Sequence, residues 1–322
     1  MDVIALSHSE DLDGIAAATL VRIKYNISHE RVMYIDYSTE QLRRASDWVK
    51  SMASKATTLF ITDLSVSDSK AELYREIIMS IKSKGGSVIY LDHHPWGEKA
   101  QKLVATLCNH AVFGEQKECA SEITAKYLKI SGPNIKRLLH MCHLSDNNIK
   151  ADGELERAMI KTYSMAITYY NTLPEKERLE KLIWFSDTIA EGDMDNPILK
   201  YDADEFERVS RERTGEMLEG LSFVGNFIAV GFAGSVQPTY AASLIFRKAE
   251  RQIAIYINTD ACKGSIRSTG RDISGLAKSL GGGGHPCAAG FEFNNRYDLK
   301  TSRGRARLLK RIEASARDLG LL

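Results

Sequence analysis

Acidic and imidazole side chains directly follow several short apolar runs of this chain. The apolar residues 89–91 are followed by Asp92, His93 and His94. Other apolar runs end in the same way, and the residues that follow them are His8, Asp11, Asp13 and Asp63. Carboxylates and imidazoles together are ligands for divalent cations. The pattern therefore predicts a site for two metal ions.

The ligand types also indicate which metal. Hard carboxylates favour Mn²⁺ or Mg²⁺, and the added histidines favour Mn²⁺, with Co²⁺ as a further alternative. No cysteine lies among these residues, which disfavours structural zinc. Two cations about 3.5–4 Å apart can share a carboxylate and stabilise both the attacking and the leaving oxygen of a phosphate. The predicted chemistry is therefore phosphate-ester hydrolysis.

One short loop supplies three of the predicted ligands. Asp11 and Asp13 alternate around Leu12, so in an extended loop these two carboxylates would face the same side. Gly14 then allows a tight entry into the next helix. The alternative is that these acids cap the helix N-terminus, where negative charge is stabilising.

Asp63 and Asp146 complete the predicted set. Asp63 ends an apolar run before a helix, so capping is an alternative there too. Asp146 ends a predicted helix, where the dipole disfavours an unpaired acid, so a ligand role is favoured.

The first half of the chain alternates between strand-like and helix-like segments. Strands are predicted at residues 3–7, 32–36, 57–62 and 87–91, and helices at 15–25, 41–52 and 70–82. This alternation predicts a largely parallel, Rossmann-like sheet with helices on both faces. Ligands of such sheets bind at the carboxyl ends of the strands, where the predicted ligands lie.

From about residue 120 to 213 the pattern is helical, and the charged run 200–213 is typical of an exposed helix or hinge. Strands return at 227–232, 253–258 and 264–268, and a helix at 273–280 precedes four glycines. We therefore expect an α/β protein with a first domain over 1–185, a helical linker over 186–215, and a smaller α/β domain with a mixed sheet over 216–322.

Composition excludes several classes of protein. The net charge of +1 argues neither for nor against a polyanionic partner, so any nucleic-acid surface must be local. No apolar run approaches the roughly 20 residues that cross a bilayer. The five cysteines form no CxxC pair, which is typical of reduced thiols. The N-terminus enters a strand without a leader pattern, so we expect a cytoplasmic protein. A homodimer is compatible with the sequence.

These motifs resemble a known superfamily. His8, the run Asp11-Leu12-Asp13-Gly14, Asp63, Asp92-His93-His94 and Asp146 resemble the successive motifs of the DHH phosphoesterases. Residues 281–291 resemble the signature of the accessory domain DHHA1. The superfamily includes RecJ-type exonucleases, nano-RNases, phosphatases of adenosine bisphosphate and cyclic-dinucleotide phosphodiesterases.

The resemblance implies a role for each residue. One metal would be bound by His8, Asp11 and Asp63, and the second by Asp13, Asp63, His93 and Asp146, with Asp63 bridging. His94 would lie near the scissile phosphate, and Asp92 would orient its neighbours. The spacing of the first motif departs from the family pattern and leaves Glu10 as an alternative to Asp11. Asp187 is likewise an alternative to Asp146.

In the second domain, the resemblance implies binding of the substrate's far nucleotide. Backbone N–H groups of Gly282, Gly283 and Gly284 would form a concave anion site, and His285 and Arg267 would add side-chain donors. A flexible linker is the alternative. A basic cluster follows, with seven Lys or Arg at positions 296, 300, 303, 305, 307, 310 and 311. It suits a polyanion, and a solvated helix face is the alternative.

We therefore expect a metal-dependent phosphodiesterase that releases 5′-nucleoside monophosphates from short single-stranded oligonucleotides, with His94, Asp63 and Arg267 acting on the phosphate. RNA is favoured over DNA, because dedicated RecJ-type enzymes usually carry a further nucleic-acid-binding domain. The alternatives are a phosphatase for 3′-phosphoadenosine 5′-phosphate, a cyclic-dinucleotide phosphodiesterase, and a non-catalytic nucleic-acid scaffold.

Overall fold

The computed structural model describes residues 2–114, 117–147, 149, 151–293 and 297–322. The chain divides into two compact units, residues 1–204 and 205–322. Within the described ranges, no helix combines the length and the apolar character that a bilayer-spanning segment needs.

The first unit contains a parallel sheet, as predicted. Its described strands are β1 (Asp2–His8), β2 (Val32–Ile35), β3 (Thr57–Thr62), β4 (Ser87–Leu91) and β5 (His110–Val112), in the order β2-β1-β3-β4-β5. All four pairings are parallel. Helices α1 (Leu12–Tyr25), α2 (Thr39–Met52), α3 (Ala71–Lys82) and α4 (Glu98–Leu103) connect these strands. The sequence did not predict α4 or β5.

The central strands are buried on both faces, which explains their nearly continuous apolar sequence. Every residue of β3 is buried, including its threonines. On one face, Leu6 and Ile61 share a core with Ile77 of α3. The other face carries α1, whose alanines at 16–18 are fully buried and allow close packing. The sheet is therefore a rigid support for the residues that follow its strands.

Five helices follow the sheet, and they are α5 (Ala120–Leu128), α6 (Pro133–Asp146), α7 (Glu154–Tyr170), α8 (Glu175–Glu191) and α9 (Pro197–Glu219). The charged run 200–213 lies in α9 and is only partly exposed, contrary to the prediction. Phe206 is buried, and the buried Asp202 carboxylate accepts from Lys181 Nζ at 2.7 Å and Tyr170 O–H at 2.8 Å. Asp202, one of the charged residues of this run, is therefore buried and paired inside the protein.

The second unit contains the predicted mixed sheet. Its described strands are β6 (Ser222–Val224), β7 (Ile228–Ala233), β8 (Ile253–Asn258), β9 (Lys263–Ser268), β10 (Gly283–His285) and β11 (Ala288–Glu292), in the order β10-β11-β9-β8-β7-β6. The β7–β8 pairing is parallel and the others are antiparallel. Helix α10 (Pro238–Ala249) packs on one face, and α11 (Ser274–Ser279) and α12 (Ser302–Asp318) pack on the other.

The four glycines do not form the open loop that the sequence suggested. Gly283 and Gly284 belong to the edge strand β10, which pairs with β11. A Cβ atom at Gly282 would lie 1.9 Å from the Gly290 carbonyl oxygen. One at Gly284, where φ is +135°, would lie 2.6 Å from Ala289 Cα. Close approach of two backbones is therefore what requires glycine here.

Candidate metal centre

Asp63 is a buried acid at the carboxyl end of the first unit's sheet. It directly follows β3, is 1% exposed, and has a left-handed backbone with φ of +54°. Its N–H donates to the Leu91 carbonyl at 3.0 Å, which ties it to the end of β4. Helix α3 begins eight residues later with Lys70 as its cap residue, so the capping alternative for Asp63 is wrong.

Neither carboxylate oxygen of Asp63 has a hydrogen-bond partner among the described residues. Oδ1 lies 3.6 Å from His93 Nε2 and 3.7 Å from His94 Nδ1. These separations exceed hydrogen-bond lengths. They match the roughly 3–4 Å expected between ligand atoms of one octahedral ion with bonds of about 2.1 Å. A divalent cation thus fits between Asp63 Oδ1 and His93 Nε2, whereas His94 Nδ1 is already paired with Asp92 Oδ1 at 2.8 Å.

Asp92 is fully buried at the end of β4 and uses both oxygens. Oδ1 lies 2.8 Å from His94 Nδ1, and Oδ2 accepts from the Trp96 indole N–H at 2.7 Å. Burial alone would raise the pKa of Asp92, but charge and hydrogen bonds from His94 and Trp96 lower it overall. Asp92 therefore stays ionised and orients the His94 ring, as the sequence analysis expected.

The loop after β1 brings His8 to the same edge of the sheet. His8 Nε2 lies 3.6 Å from Asp11 Oδ2 and 4.0 Å from Glu10 Oε2, so both acids stand near the imidazole. Asp11 also caps α1, because its Oδ1 accepts from Gly14 N–H at 3.0 Å. Capping and proximity to His8 therefore coexist at Asp11.

Gly14 occupies a position where the Cβ atom of any other residue would clash with its surroundings. A Cβ atom there would lie 2.6 Å from the His8 carbonyl oxygen and 2.9 Å from Asp63 Oδ2. Real Cβ atoms do not approach backbone this closely, so the absent side chain lets α1 begin against the acid cluster.

Asp13 and Asp146 lie on the other side of His93. Asp13 is 2% exposed, and its oxygens accept from the N–H groups of Ala120 at 2.7 Å and Ser121 at 2.9 Å. Asp146, the last residue of α6, places Oδ2 3.6 Å from His93 Nδ1. The potential ligand atoms form two groups, and within each group all atoms lie within 4.8 Å of one another. The first group consists of Asp63, Asp92, His93 and His94. The second consists of Asp13, His93 and Asp146.

The acids of this cluster repel one another in a buried setting. Burial, followed by the charges of Asp11 and Asp13, raises the pKa of Asp63 well above its ordinary value. Burial and Asp13 raise the pKa of Asp146 to about 8. Burial also raises the pKa of Asp13. Although burial opposes it, the Asp92 carboxylate raises the pKa of His94 to about 9. Cations would relieve the repulsion among the acids, so the residues fit a metal centre.

The structure separates the two alternatives for the fourth motif. Asp187 accepts from Arg22 at 2.6 Å and lies 3.1 Å from His29 Nε2, and it belongs to neither ligand group. Asp146 is in the cluster. The sequence pattern did not distinguish Asp146 from Asp187, because each of them follows an apolar segment of a predicted helix.

The remaining candidate residues lie in the second unit. Arg267 on β9 pairs with Ala288 of β11, which pairs with His285 of β10, so the three side chains share one face of the sheet. The Arg267 guanidinium donates to the Ile266 carbonyl at 3.0 Å, and no described carboxylate forms an ion pair with it. Burial lowers its pKa. A half-buried cation without an acid partner is suited to an anionic ligand.

Two residues that support the cluster were not identified from the sequence. Trp96 was visible after the His pair, but nothing in the sequence indicated that its indole would donate to Asp92. Asn171 follows α7 and donates from Nδ2 to the Ser9 carbonyl at 2.7 Å, which supports the loop after His8. Asn171 lies far from Ser9 in the sequence and belongs to no motif, so the sequence alone could not reveal this contact.

Residues 233–318 match the DHHA1 domain. No curated protein sequence matches the chain significantly.

Several solved structures resemble this chain. RecJ from Thermus thermophilus in complex with Mn²⁺ is 15% identical with a TM-score of 0.54, and the match covers 98% of this chain and 52% of that chain. An exopolyphosphatase-related protein from Bacteroides fragilis is 16% identical with a TM-score of 0.51, over 98% and 92%. CDC45 from Entamoeba histolytica is 8% identical with a TM-score of 0.53, over 96% and 95%. At these identities the structural likeness shows a shared fold.

Proposed function

Because residues 233–318 match the DHHA1 domain and the first unit holds a cluster of acids and histidines, we propose that the chain is a DHH superfamily phosphoesterase that releases 5′-nucleoside monophosphates from short single-stranded oligonucleotides, with RNA preferred over DNA. The metal-dependent phosphoesterase activity is common to the superfamily, and the substrate is our proposal. The observation that carries it is the buried Asp63 carboxylate, whose two oxygens have no protein donor among the described residues and whose Oδ1 lies 3.6 Å from His93 and 3.7 Å from His94.

We assign the metal ligands as two overlapping sets. His8, Asp11 and Asp63 would hold one cation, and Asp13, Asp63, His93 and Asp146 would hold the other. Mn²⁺ is the proposed ion, because oxygen ligands are combined with imidazoles. When bound, the cations would supply Lewis-acid stabilisation of the charge on the phosphate.

The chain's own groups would position and stabilise the phosphate. Against the effect of burial, the charge and hydrogen bond of Asp92 raise the pKa of His94, which favours the positively charged imidazolium. Asp92 fixes its ring through Nδ1, so the charge is already oriented before substrate binds. Charge that is oriented in advance stabilises a transition state more effectively than charge that must reorganise.

In the second unit, Arg267, Gly282, Gly283, Gly284 and His285 are proposed to bind a nucleotide phosphate. Arg267 supports this assignment because its cationic group is half-buried and has no acid partner in the described chain. Gly283 and Gly284 support it because they belong to the edge strand β10, whose outer side has no neighbouring strand among the described residues. Arg267→Gln is expected to raise KM more than it lowers kcat, since it removes substrate binding away from the reacting phosphate.

A substrate panel tests the proposal. The protein is incubated with Mn²⁺ and labelled RNA and DNA, from dinucleotides to much longer oligomers, with 3′-phosphoadenosine 5′-phosphate and a cyclic dinucleotide in parallel. We expect the fastest turnover on the shortest RNAs. Equal rates at every length, or preference for the bisphosphate or the cyclic compound, would contradict the proposed substrate.

The control variants separate metal chemistry from general effects of charge. Asp63→Asn is expected to remove activity on every substrate. Asp47→Asn changes a carboxylate that is 82% exposed on α2, and it should retain full activity. A chain that binds oligonucleotides but neither binds Mn²⁺ in a calorimetric titration nor hydrolyses any substrate would be a non-catalytic scaffold.

A further inference from the structure

The C-terminal helix α12 is basic along its exposed side. Its buried stripe consists of Leu308, Ile312 and Ala316, which pack into the core of the second unit. The exposed side chains of Arg303, Arg307 and Lys310 are spaced by four and three residues and therefore lie on one side of the helix. We call these three residues the basic face of α12. The basic residues Lys300 and Arg305 are also exposed, but Lys300 precedes the helix and Arg305 lies on another side of it. Arg296, part of the cluster in the sequence, lies outside the described residues.

The charges of this face are not neutralised by the protein. No acid occurs between positions 299 and 312 of the sequence. The first acid of the helix, Glu313, forms an ion pair with Arg317 at 2.9 Å. Among the described residues, no carboxylate forms an ion pair with Arg303, Arg307 or Lys310. By contrast, Arg208 and Arg211 on α9 both have glutamate partners.

Arg307 of the basic face and its neighbour Arg305 are both held in place by aromatic rings. The Arg305 guanidinium lies 5.3 Å from the Phe232 ring centroid, and its Nε donates to the Leu299 carbonyl at 2.8 Å. The Arg307 guanidinium lies 5.9 Å from the Tyr297 ring centroid. Such contacts restrict long side chains, so less conformational entropy is lost when the guanidinium binds a ligand.

This face and Arg267 lie on opposite sides of the sheet. Leu308 and Ile312 share a core with Ile266, the neighbour of Arg267 on β9. Arg267 itself pairs with Ala254, which packs on the opposite face beneath α10. Adjacent residues of a strand point to opposite faces. A nucleotide bound at Arg267 is therefore on the other side of the sheet from α12.

We propose that the basic face of α12 is a second anion-binding surface, which binds the sugar–phosphate backbone of single-stranded nucleic acid without regard to sequence. The choice of nucleic acid as the polyanion rests on the proposed function. Several unpaired cations along one exposed helix side are what a phosphate backbone requires, because binding releases the counterions condensed on it. The surface would retain an oligonucleotide independently of the metal centre.

The test compares two triple variants that remove the same charge. Arg303→Ala, Arg307→Ala and Lys310→Ala are combined in the first. Arg208→Ala, Arg211→Ala and Arg317→Ala, which remove exposed arginines with glutamate partners, are combined in the control. Fluorescence anisotropy with a labelled single-stranded RNA is recorded in EDTA over a range of salt concentrations. EDTA removes metal-dependent cleavage, so the result does not depend on hydrolysis.

Each phosphate contact on a single strand contributes about 0.7 to the slope of log K against log salt, so the first variant should flatten that slope by about 2. The control should keep the wild-type slope. Equal slopes in both variants would overturn the proposal, as would binding to phosphatidylserine vesicles without binding to RNA. The single variant Lys310→Gln provides a second test that changes the helix minimally. It is expected to flatten the slope by about 0.7. If the proposed function failed instead, RNA binding in EDTA would persist without turnover in Mn²⁺.

Discussion

The Asp92 carboxylate and the His94 imidazole form a fixed pair, with Oδ1 2.8 Å from Nδ1. The other oxygen of Asp92 is occupied by the Trp96 indole at 2.7 Å. Trp96 in turn stacks on Phe113 with ring centroids 4.5 Å apart. The orientation of His94 therefore depends on a tryptophan in the apolar core of the sheet, two residues further along the chain.

Removing the indole donor should weaken this support. Trp96→Phe keeps an aromatic ring against Phe113 but leaves Asp92 Oδ2 without its donor. We expect kcat to fall about 10-fold or more, as for other partners that orient active-site groups, with little change in KM. Trp48→Phe on α2 is the matched control and should retain wild-type kcat. Equal kcat values in the two variants would show that the indole does not position His94.

The Asp63→Asn variant should separate catalysis from stability. Asparagine tolerates the left-handed backbone at this position, so the change removes charge without adding backbone strain. We expect activity to fall at least about 100-fold, since a proposed metal ligand matters more than its outer partners. In EDTA the melting temperature should rise, because a repelled buried carboxylate is removed. A lower melting temperature in EDTA would contradict the electrostatic account.

The metal-free protein should lose stability as pH rises. Asp146 has an ordinary pKa of 3.8 in an unfolded chain and a pKa of about 8 in the cluster. Between these values the native state retains a proton that the unfolded state has released, so the free energy of unfolding declines with increasing pH. Thermal unfolding in EDTA from pH 5 to pH 8 measures the decline. Asp146→Asn should reduce its slope, and an unchanged slope would exclude Asp146 as a contributor.

Mn²⁺ binding should show the opposite dependence on pH. The ligands must be deprotonated to bind the ion, so binding releases protons. We expect the apparent affinity to increase between pH 6 and pH 8. Calorimetry in two buffers of different ionisation enthalpy measures the proton release directly. An affinity independent of pH in this interval would mean that the protonated acids of the cluster are not ligands.

Substitution of Gly14 should disturb the cluster from the backbone side. The new methyl group of Gly14→Ala would meet the His8 carbonyl and Asp63 Oδ2, which costs about 1–3 kcal/mol through overpacking. Gly215→Ala, in an exposed turn of α9 with open space at Cβ, is the control and should stabilise by about 0.5–1 kcal/mol. Denaturant unfolding and Mn²⁺ titration measure both variants. Unchanged Mn²⁺ affinity in Gly14→Ala would show that this close approach is dispensable.

The sequence predicted the sheet well, because its strands are short apolar runs with clear ends. It also predicted that Asp63 and Asp92 would meet, since β3 and β4 are adjacent parallel strands whose carboxyl ends share an edge. The capping alternative for Asp63 could be excluded only from the distance to α3. The choice between Asp146 and Asp187 likewise depended on helix packing, which a single sequence does not encode locally.

The glycine segment shows a different limit. Four successive glycines carry no side-chain pattern, so strand and loop are equally compatible with them. Their pairing with β11 depends on the carbonyl of Gly290 and the backbone of Ala289, which approach too closely for any side chain. Such a requirement belongs to the partner strand, and the glycines alone do not reveal it.

The two N–H groups that α5 donates to Asp13 help to determine the shortest fragment of this chain that could form the proposed metal centre. A fragment that ended after β5 would retain every strand of the first unit's sheet but would release Asp13 from Ala120 and Ser121 and would lack Asp146. The smallest portion with both proposed ion sites must therefore extend through α6, so the helices that follow the sheet contribute to the proposed metal centre and do not act only as a spacer.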